Sequence, residues 1–234
     1  MRQILGLVMV VILVMGYGMQ DAGQREETLF EIIKAGQPRH PYQTEYEQML
    51  YPCVRISSPA GTGSGVVFTT KSTKDTKEEV YILTACHVVE QENTVDIELY
   101  DSSSITGTVV ITDTDKDLAL IRTQINADFR IYEASLAPQD YTYYLFTPVY
   151  AVGCSLGLSP RPSSGILSAL SASVVEISAP VLPGNSGGPV YDARTYEVIG
   201  IAVWVKVCQG QLVTTMAGIV PINEIYSFIE NNAH

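Results

Sequence analysis

From Tyr51 onward the chain is written in short runs that alternate with period two: CVRI, GVVF, VYILTA, DIEL, GTVVIT and LALI, each bounded by polar or glycine-bearing turns. Runs of this length suit strands and are too brief for helices. Their Val and Ile side chains, branched at Cβ, pack well on a pleated surface. After Arg130 the pattern lapses through YEASLAPQDYTYYLF, then resumes as VYAVGC, SGILSALSA, VVEI, PVYD, EVIGIAVWV and LVTTMAGIV. The prediction is an all-β chain in two halves, residues 51–130 and 131–222, each an antiparallel β-barrel. Closure removes the edge strands that an open sheet would expose. The polar segment TTKSTKDTKEE, Thr69 to Glu79, is predicted to be a solvent-facing hairpin tip. At the end, Ile222, Ile225, Tyr226 and Ile229 fall at helical spacing, which predicts a short helix within residues 223–234 packed by one face.

Ahead of the strands the chain changes character. Arg2 precedes Ile4 to Met15, a stretch without charge, and Gly16 to Gln20 then turn smaller and more polar. That is the layout of an export signal, and it is short for a membrane span. Residues 1–20 are therefore read as a signal peptide, or as a retained single-segment anchor. Either way the body is expected outside the cytoplasm, whether periplasmic, secreted or anchored. Residues 21–50 form a charged lead-in, in which Thr28 and Glu31 have capping-box spacing and Leu29, Phe30, Ile32 and Ile33 could line one helical face before Gly36 and Pro38.

Composition narrows the function. With 46% hydrophobic and 17% charged residues the chain belongs among folded proteins, and its net charge of -11 repels nucleic-acid phosphates. Nucleic acid is excluded as a partner on that ground. Cys53, Cys86, Cys154 and Cys208 contain no C-x-x-C pair, so a zinc knuckle or thioredoxin-like site has no support; no metal or cofactor is expected. Their pairing and the oligomeric state are left open by the sequence.

The stretch PGNSGGPVYD sets Ser186 among three glycines just before an apolar strand. Glycines so dense imply a backbone of special shape. His87 ends the strand-like YILTACHVVE, and Asp117 opens another run in DTDKDLALI. A serine hydroxyl attacks well only if a base takes its proton and a third group holds that base in the right tautomer. His87, Asp117 and Ser186 supply those groups, and backbone N–H groups around Gly184 and Ser186 could stabilise a developing oxyanion.

TACHVV, DLAL and GNSGGP resemble the three signatures of trypsin-like serine proteases, and more closely the protease domain of the bacterial HtrA/DegP type, from about Gly61 to Ile222. The resemblance implies a double barrel that cleaves protein or peptide substrates through an acyl-enzyme. Its general base falls on His87, its orienting acid on Asp117 and its nucleophile on Ser186, with the oxyanion hole on the backbone of Gly184, Asn185 and Ser186. GTGSGVVF resembles the strand before the histidine, and PSSGILSALS the stretch leading to the substrate-binding sheet.

Two departures from the family follow. Most HtrA-type members carry peptide-binding PDZ domains after the protease, and none is expected in a sequence that ends soon after Ile222. The acid that would select Lys or Arg substrates is also missing, because Pro180 stands at that place. Pro180, Val181, Leu182, Val203, Trp204, Val205 and Gly218 make the expected substrate pocket apolar, with Met216 a further candidate. Burial there favours small or medium aliphatic side chains, whereas an unpaired cation would lose its hydration. Glu176, the nearest upstream acid, is expected on a strand remote from the pocket floor. The alternatives are a catalytically silent binding or scaffolding module of the same fold, and an esterase. The esterase lacks support, since G-x-S-x-G is absent and the chain order is His, Asp, Ser.

Overall fold

The structure is a computed structural model that describes residues 44–59, 61–73, 76–171 and 175–232. The expected signal segment at 1–20 and the Thr28 to Pro38 part of the lead-in lie outside the described residues. The first six strands are β1 Cys53–Ser58, β2 Gly61–Ser72, β3 Lys77–Thr84, β4 Thr94–Glu98, β5 Ser104–Asp113 and β6 Leu118–Asn126. The second six are β7 Pro148–Gly153, β8 Arg161–Leu170, β9 Val175–Ile177, β10 Pro189–Asp192, β11 Val198–Cys208 and β12 Gln211–Pro221. Each alternating run named above has most of its described residues on one of these strands. Each set closes into a six-stranded antiparallel barrel, in the orders β1-β2-β3-β6-β5-β4 and β7-β8-β9-β12-β11-β10. The second order repeats the first strand for strand. The fold is the double barrel expected for trypsin-like proteases, with helix α1 at Cys86–Val89 and helix α2 at Ile222–Asn232.

Inward positions carry Val, Ile and Leu, among them fully buried Ile56, Ile82, Leu83, Ile97, Ile121, Leu167, Ile177 and Ile199. Each such side chain contributes roughly 2 kcal/mol through burial. The Thr69 to Glu79 expectation needs correction: β2 and β3 continue through most of it, pairing Thr69 with Tyr81, Thr70 with Val80 and Lys71 with Glu79. The reason lies across the interface, where Thr69 and Thr70 are buried and the Thr70 hydroxyl donates to Glu133. A local reading of polarity could not see that carboxylate.

The irregular segment between the barrels fastens both. Ala134 N–H donates to Val67 C=O of β2 (2.8 Å), and Ala137 N–H and Ser135 C=O bond Val198 of β11 (3.0 and 2.8 Å). A reciprocal capping box does occur in the lead-in, at Thr44 and Glu47: each backbone N–H donates to the other's side chain, at 3.1 and 3.3 Å. Tyr132 and Arg130 of the inter-barrel segment then hold Glu47 at 3.1 and 3.3 Å, and Tyr191 of β10 donates to Met49 C=O at 3.1 Å. At the other end, the Tyr143 hydroxyl accepts the first N–H of α2 from Ile222 (2.7 Å). Ile222, Ile225, Tyr226, Phe228 and Ile229 of α2 are buried. Glu224 on its first turn pairs with Lys116 (2.7 Å), which ties the second barrel to the turn that carries Asp117.

Candidate active site

His87 lies on the single turn of α1, directly after β3, and Asp117 directly precedes β6, the strand paired with β3. The pairing of Thr84 with Ala119 therefore brings the two ends together. Asp117 takes φ +54, a left-handed conformation that Asp tolerates, in a turn whose N–H groups at Asp115 and Lys116 are held by Asp113. Its carboxylate grips His87 twice: Oδ1 accepts the backbone N–H at 2.9 Å, and Oδ2 lies 2.7 Å from ring Nδ1. Because a carboxylate only accepts, Nδ1 carries the proton and the lone pair of the neutral ring is left on Nε2. The Asp117 hydrogen bond raises the His87 pKa above 6.5; burial opposes it, and the charges of Asp117 and Glu90 add to the rise. Beside this pair opens a cleft of about 540 Å³ lined by Cys86, His87, Glu90, Gln91, Glu92, Thr114 and Asp117.

The segment from Leu182 to Gly188 is tied at nearly every carbonyl. Leu182 C=O accepts from Asn185 N–H (3.0 Å), Pro183 C=O from Leu156 N–H (2.7 Å), and Asn185 C=O from Gly188 N–H (2.9 Å). Gly184 C=O accepts from the Ser64 hydroxyl (2.6 Å), and Ser186 C=O from Ser64 N–H (2.8 Å). Gly187 N–H donates to Ala202 of β11 (2.7 Å). From Pro183 to Gly188 the N–H groups of Gly184 and Ser186 remain, and they donate to no acceptor among the described residues. In a trans peptide N–H and C=O point opposite ways, so the bond from Leu156 turns the Gly184 N–H away from that loop. Gly184 adopts φ +95 with Cys154 C=O 2.4 Å from where a Cβ would stand, which only glycine satisfies. Buried Asn185 has its N–H occupied by Leu182, and its Oδ1 accepts from Ser155 Oγ at 2.6 Å. Of the three expected oxyanion positions, two therefore retain an unoccupied N–H.

Ser186 is half-buried, and no hydrogen bond joins its hydroxyl to His87 among the described residues. The nucleophile-to-base contact is often loose in a ligand-free site. Gly187, next to Ser186, packs against the segment that leads to His87: its missing Cβ would lie 2.9 Å from the N–H nitrogen of Ala85, two residues ahead of His87. Among the described residues no group of three His, Cys, Asp or Glu side chains could hold a metal ion.

The expected pocket residues gather at the second barrel. Val181 N–H donates to Thr214 C=O of β12 (2.8 Å), and Trp204 of β11 pairs with Gly218 of β12. The Trp204 indole lies over Gly218, with Cε2 2.0 Å from the place a Cβ would take. Val181 and Val203 are buried, while Leu182 and Val205 are half-buried and Pro180 is exposed. Glu176 departs from its expected remoteness: in the register of β9 with β12 it stands directly opposite Gly218. Opposed residues share a sheet face, so Glu176 is on the same face as Trp204. The strand β9 is only three residues long, and its pairing could not be read from sequence distance.

Residues 63–201 match the family described as trypsin-like peptidase domain. The chain belongs to that family. Its relatives include a "Serine protease HtrA-like" of Staphylococcus epidermidis, 31% identical over an alignment 190 residues long that covers 74% of this chain and 31% of the relative. A "Putative serine protease HhoB" of Synechocystis is 32% identical over 157 residues, 60% of this chain and 34% of that one. "Serine protease Do-like HtrA" of Bacillus subtilis is also 32% identical over 157 residues, covering 61% and 33%. This trypsin-like peptidase is thus closely related to bacterial HtrA proteases, and it spans about a third of the length of those curated relatives. Among solved structures, an HtrA-type protease with a tripeptide superposes with a TM-score of 0.68 at 19% identity, covering 82% of this chain and 63% of the other. A serine endoprotease from Yersinia pestis gives 0.65 at 21%, covering 83% and 67%. These two show the same fold.

Several residues that shape the site of this trypsin-like peptidase carried no visible signal. Ser64 lay inside GTGSGVVF as one small residue among glycines, yet it is fully buried against the Ser186 loop. The Cys154 to Gly157 turn backs that loop, and Arg55 donates to Gly157 C=O at 2.7 Å. All four cysteines are free thiols, and three are buried. A hydrogen bond that the Cys53 thiol donates to Cys154, together with burial, pushes the Cys53 thiol well up.

Proposed function

We propose that this chain is a serine endopeptidase in which Ser186 is the nucleophile, His87 the general base and Asp117 the group that orients it. The observation that carries the reading is the loop from Pro183 to Gly188, where every backbone N–H has an acceptor among the described residues except those of Gly184 and Ser186. Two unoccupied donors two residues apart, one of them the N–H of Ser186 itself, suit a tetrahedral oxyanion. In the cycle Ser186 Oγ attacks a peptide carbonyl as His87 Nε2 takes its proton; the imidazolium then delivers that proton to the leaving amine. Water repeats the sequence on the acyl-enzyme. The doubly bonded Asp117 keeps Nδ1 protonated throughout. Labelling by a fluorophosphonate probe, abolished in Ser186→Ala, tests the assignment; a silent binding module would take no label. The exported location suggested by residues 1–20 is part of the same proposal, and sequencing the mature N-terminus with cell fractionation checks it.

The base acts as neutral imidazole, so the acid limb of kcat/KM is expected above pH 6.5, where the Asp117 hydrogen bond has moved His87. Asp117→Asn should shift that limb to lower pH and lower the maximal rate by roughly 10⁴-fold. The linkage to stability has a definite sign. A His pKa raised by folding stabilises below the unfolded value and ceases to do so as pH rises through the folded value. Asp117→Asn should therefore lower Tm more at about pH 5.5 than at about pH 9. An acid limb unmoved by the substitution would assign it to another group.

The pocket supports cleavage after Val, Ala, Ile or Leu. Trp204 leans from β11 across Gly218 and narrows the space that an aromatic residue or a long basic chain would need. Trp204, Gly218 and Glu176 share one sheet face, with the indole over Gly218. Basic residues before the cut are expected to react at least about tenfold more slowly, a difference of about 1.4 kcal/mol. A peptide library digested with the protein measures this. Dominant cleavage after Arg or Lys, lost in Glu176→Gln, would show instead that Glu176 reaches the pocket.

A further inference from the structure

Ser64 sits on β2 of the first barrel, fully buried, and contacts a loop of the second barrel. All three of its polar groups are engaged, in four hydrogen bonds. Its hydroxyl donates to Gly184 C=O (2.6 Å) and accepts Cys154 N–H (2.8 Å). Its N–H donates to Ser186 C=O (2.8 Å), and its C=O accepts the Thr84 hydroxyl (2.7 Å). The peptides that it grips, Gly184 to Asn185 and Ser186 to Gly187, alternate with the two that present the unoccupied N–H groups. By holding Cys154 it also fixes the turn from which Leu156 holds Pro183 C=O, and so the direction of the Gly184 N–H.

We infer that the Ser64 hydroxyl is a positioning residue for the oxyanion donors: it holds the Gly184 and Ser186 N–H groups convergent by bridging Cys154 N–H and Gly184 C=O. The inference rests on the endopeptidase reading above. A hydroxyl is suited to this place because it donates and accepts at once, whereas Ala would leave a buried carbonyl and a buried N–H without partners. With those groups released, the loop can turn a peptide over, and the loss falls on the state that carries the oxyanion.

Ser64→Ala in the full chain should lower kcat by roughly 10- to 100-fold, a fraction of what deleting a donor outright costs. KM for a peptide ester should change less than about twofold, since ground-state contacts are unaltered. Affinity for a peptide boronate should fall in the same ratio as kcat, while affinity for the matching product peptide should stay. Thr84→Val serves as the structural control: it releases the Ser64 carbonyl only, and should lower Tm with the boronate-to-product affinity ratio unchanged. If Ser64→Ala does not fold, Ser64→Cys under reductant, which keeps a weak donor, should show a smaller drop in that ratio. A wild-type ratio in whichever folded variant is measured overturns the inference and leaves the endopeptidase reading in place. Wild-type protein that takes no fluorophosphonate label removes both.

Discussion

Replacing Ser186 by alanine is expected to lower kcat by about 10⁶-fold, equivalent to about 8 kcal/mol of transition-state stabilisation. His87→Ala should cost a similar factor, and the double variant should be no slower than either single one. The reason is that proton removal and attack are one event: without the base the hydroxyl stays protonated, and without the hydroxyl the base has no proton to take. Each single variant should still exceed uncatalysed hydrolysis by roughly 10³- to 10⁴-fold, through the oxyanion donors and substrate binding. The fold should be intact, because Ser186 Oγ makes no hydrogen bond among the described residues and its removal strands no partner. Single-turnover rates with a chromogenic peptide ester would measure all three variants. Additive losses in the double variant would mean that the two residues act independently, and the assignment would fail.

Gly187→Ala is expected to damage the fold and the site together. Gly187 holds φ +84, where a Cβ costs about 1–2 kcal/mol for sterics within the backbone alone. The added carbon would also stand 2.2 Å from Ser64 C=O and from Thr84 Oγ1. Neither can retreat freely, since the Thr84 hydroxyl donates to that carbonyl and Ser64 grips the neighbouring residues of the loop. Relief requires β2 to part from the loop, at a further cost of roughly 1–3 kcal/mol for overpacking. For a domain of this size the sum corresponds to a fall in Tm of roughly 5–15 °C. Activity should fall with it, because the motion that relieves the clash also releases Ser186 C=O from Ser64. Thermal melting, run beside the fluorophosphonate labelling rate, gives both readouts. A Tm within about 2 °C of wild type would show that β2 and the loop pack less tightly than these distances state.

The strands were legible in the chain's own pattern, because their cause is local. Alternation in CVRI or LALI follows from one face being buried and the other not, and twelve such runs with short turns leave few architectures besides closed barrels. The residues proposed for chemistry were legible for a related reason: His87, Asp117 and Ser186 stand in short motifs where glycine, strand end and polar group occur together. The family follows from those same motifs.

Features that depend on two distant segments meeting became visible in the folded chain alone. Thr69 to Ser72 and Lys77 to Glu79, polar as they are, continue β2 and β3, with Thr69 and Thr70 buried and the Thr70 hydroxyl bonded to Glu133 of the inter-barrel segment. Glu176, ten residues from Ser186 in the chain and expected to be remote, faces Gly218 because β9 slots between β8 and β12. Asn185 has its N–H occupied by Leu182, which the GNSGGP motif does not reveal. Ser64 was silent for the same reason. A serine between two glycines looks like any turn residue until the second barrel brings Cys154 and Gly184 to its hydroxyl, and hydrogen bonds across such separations depend on how the barrels dock, which local pattern does not encode.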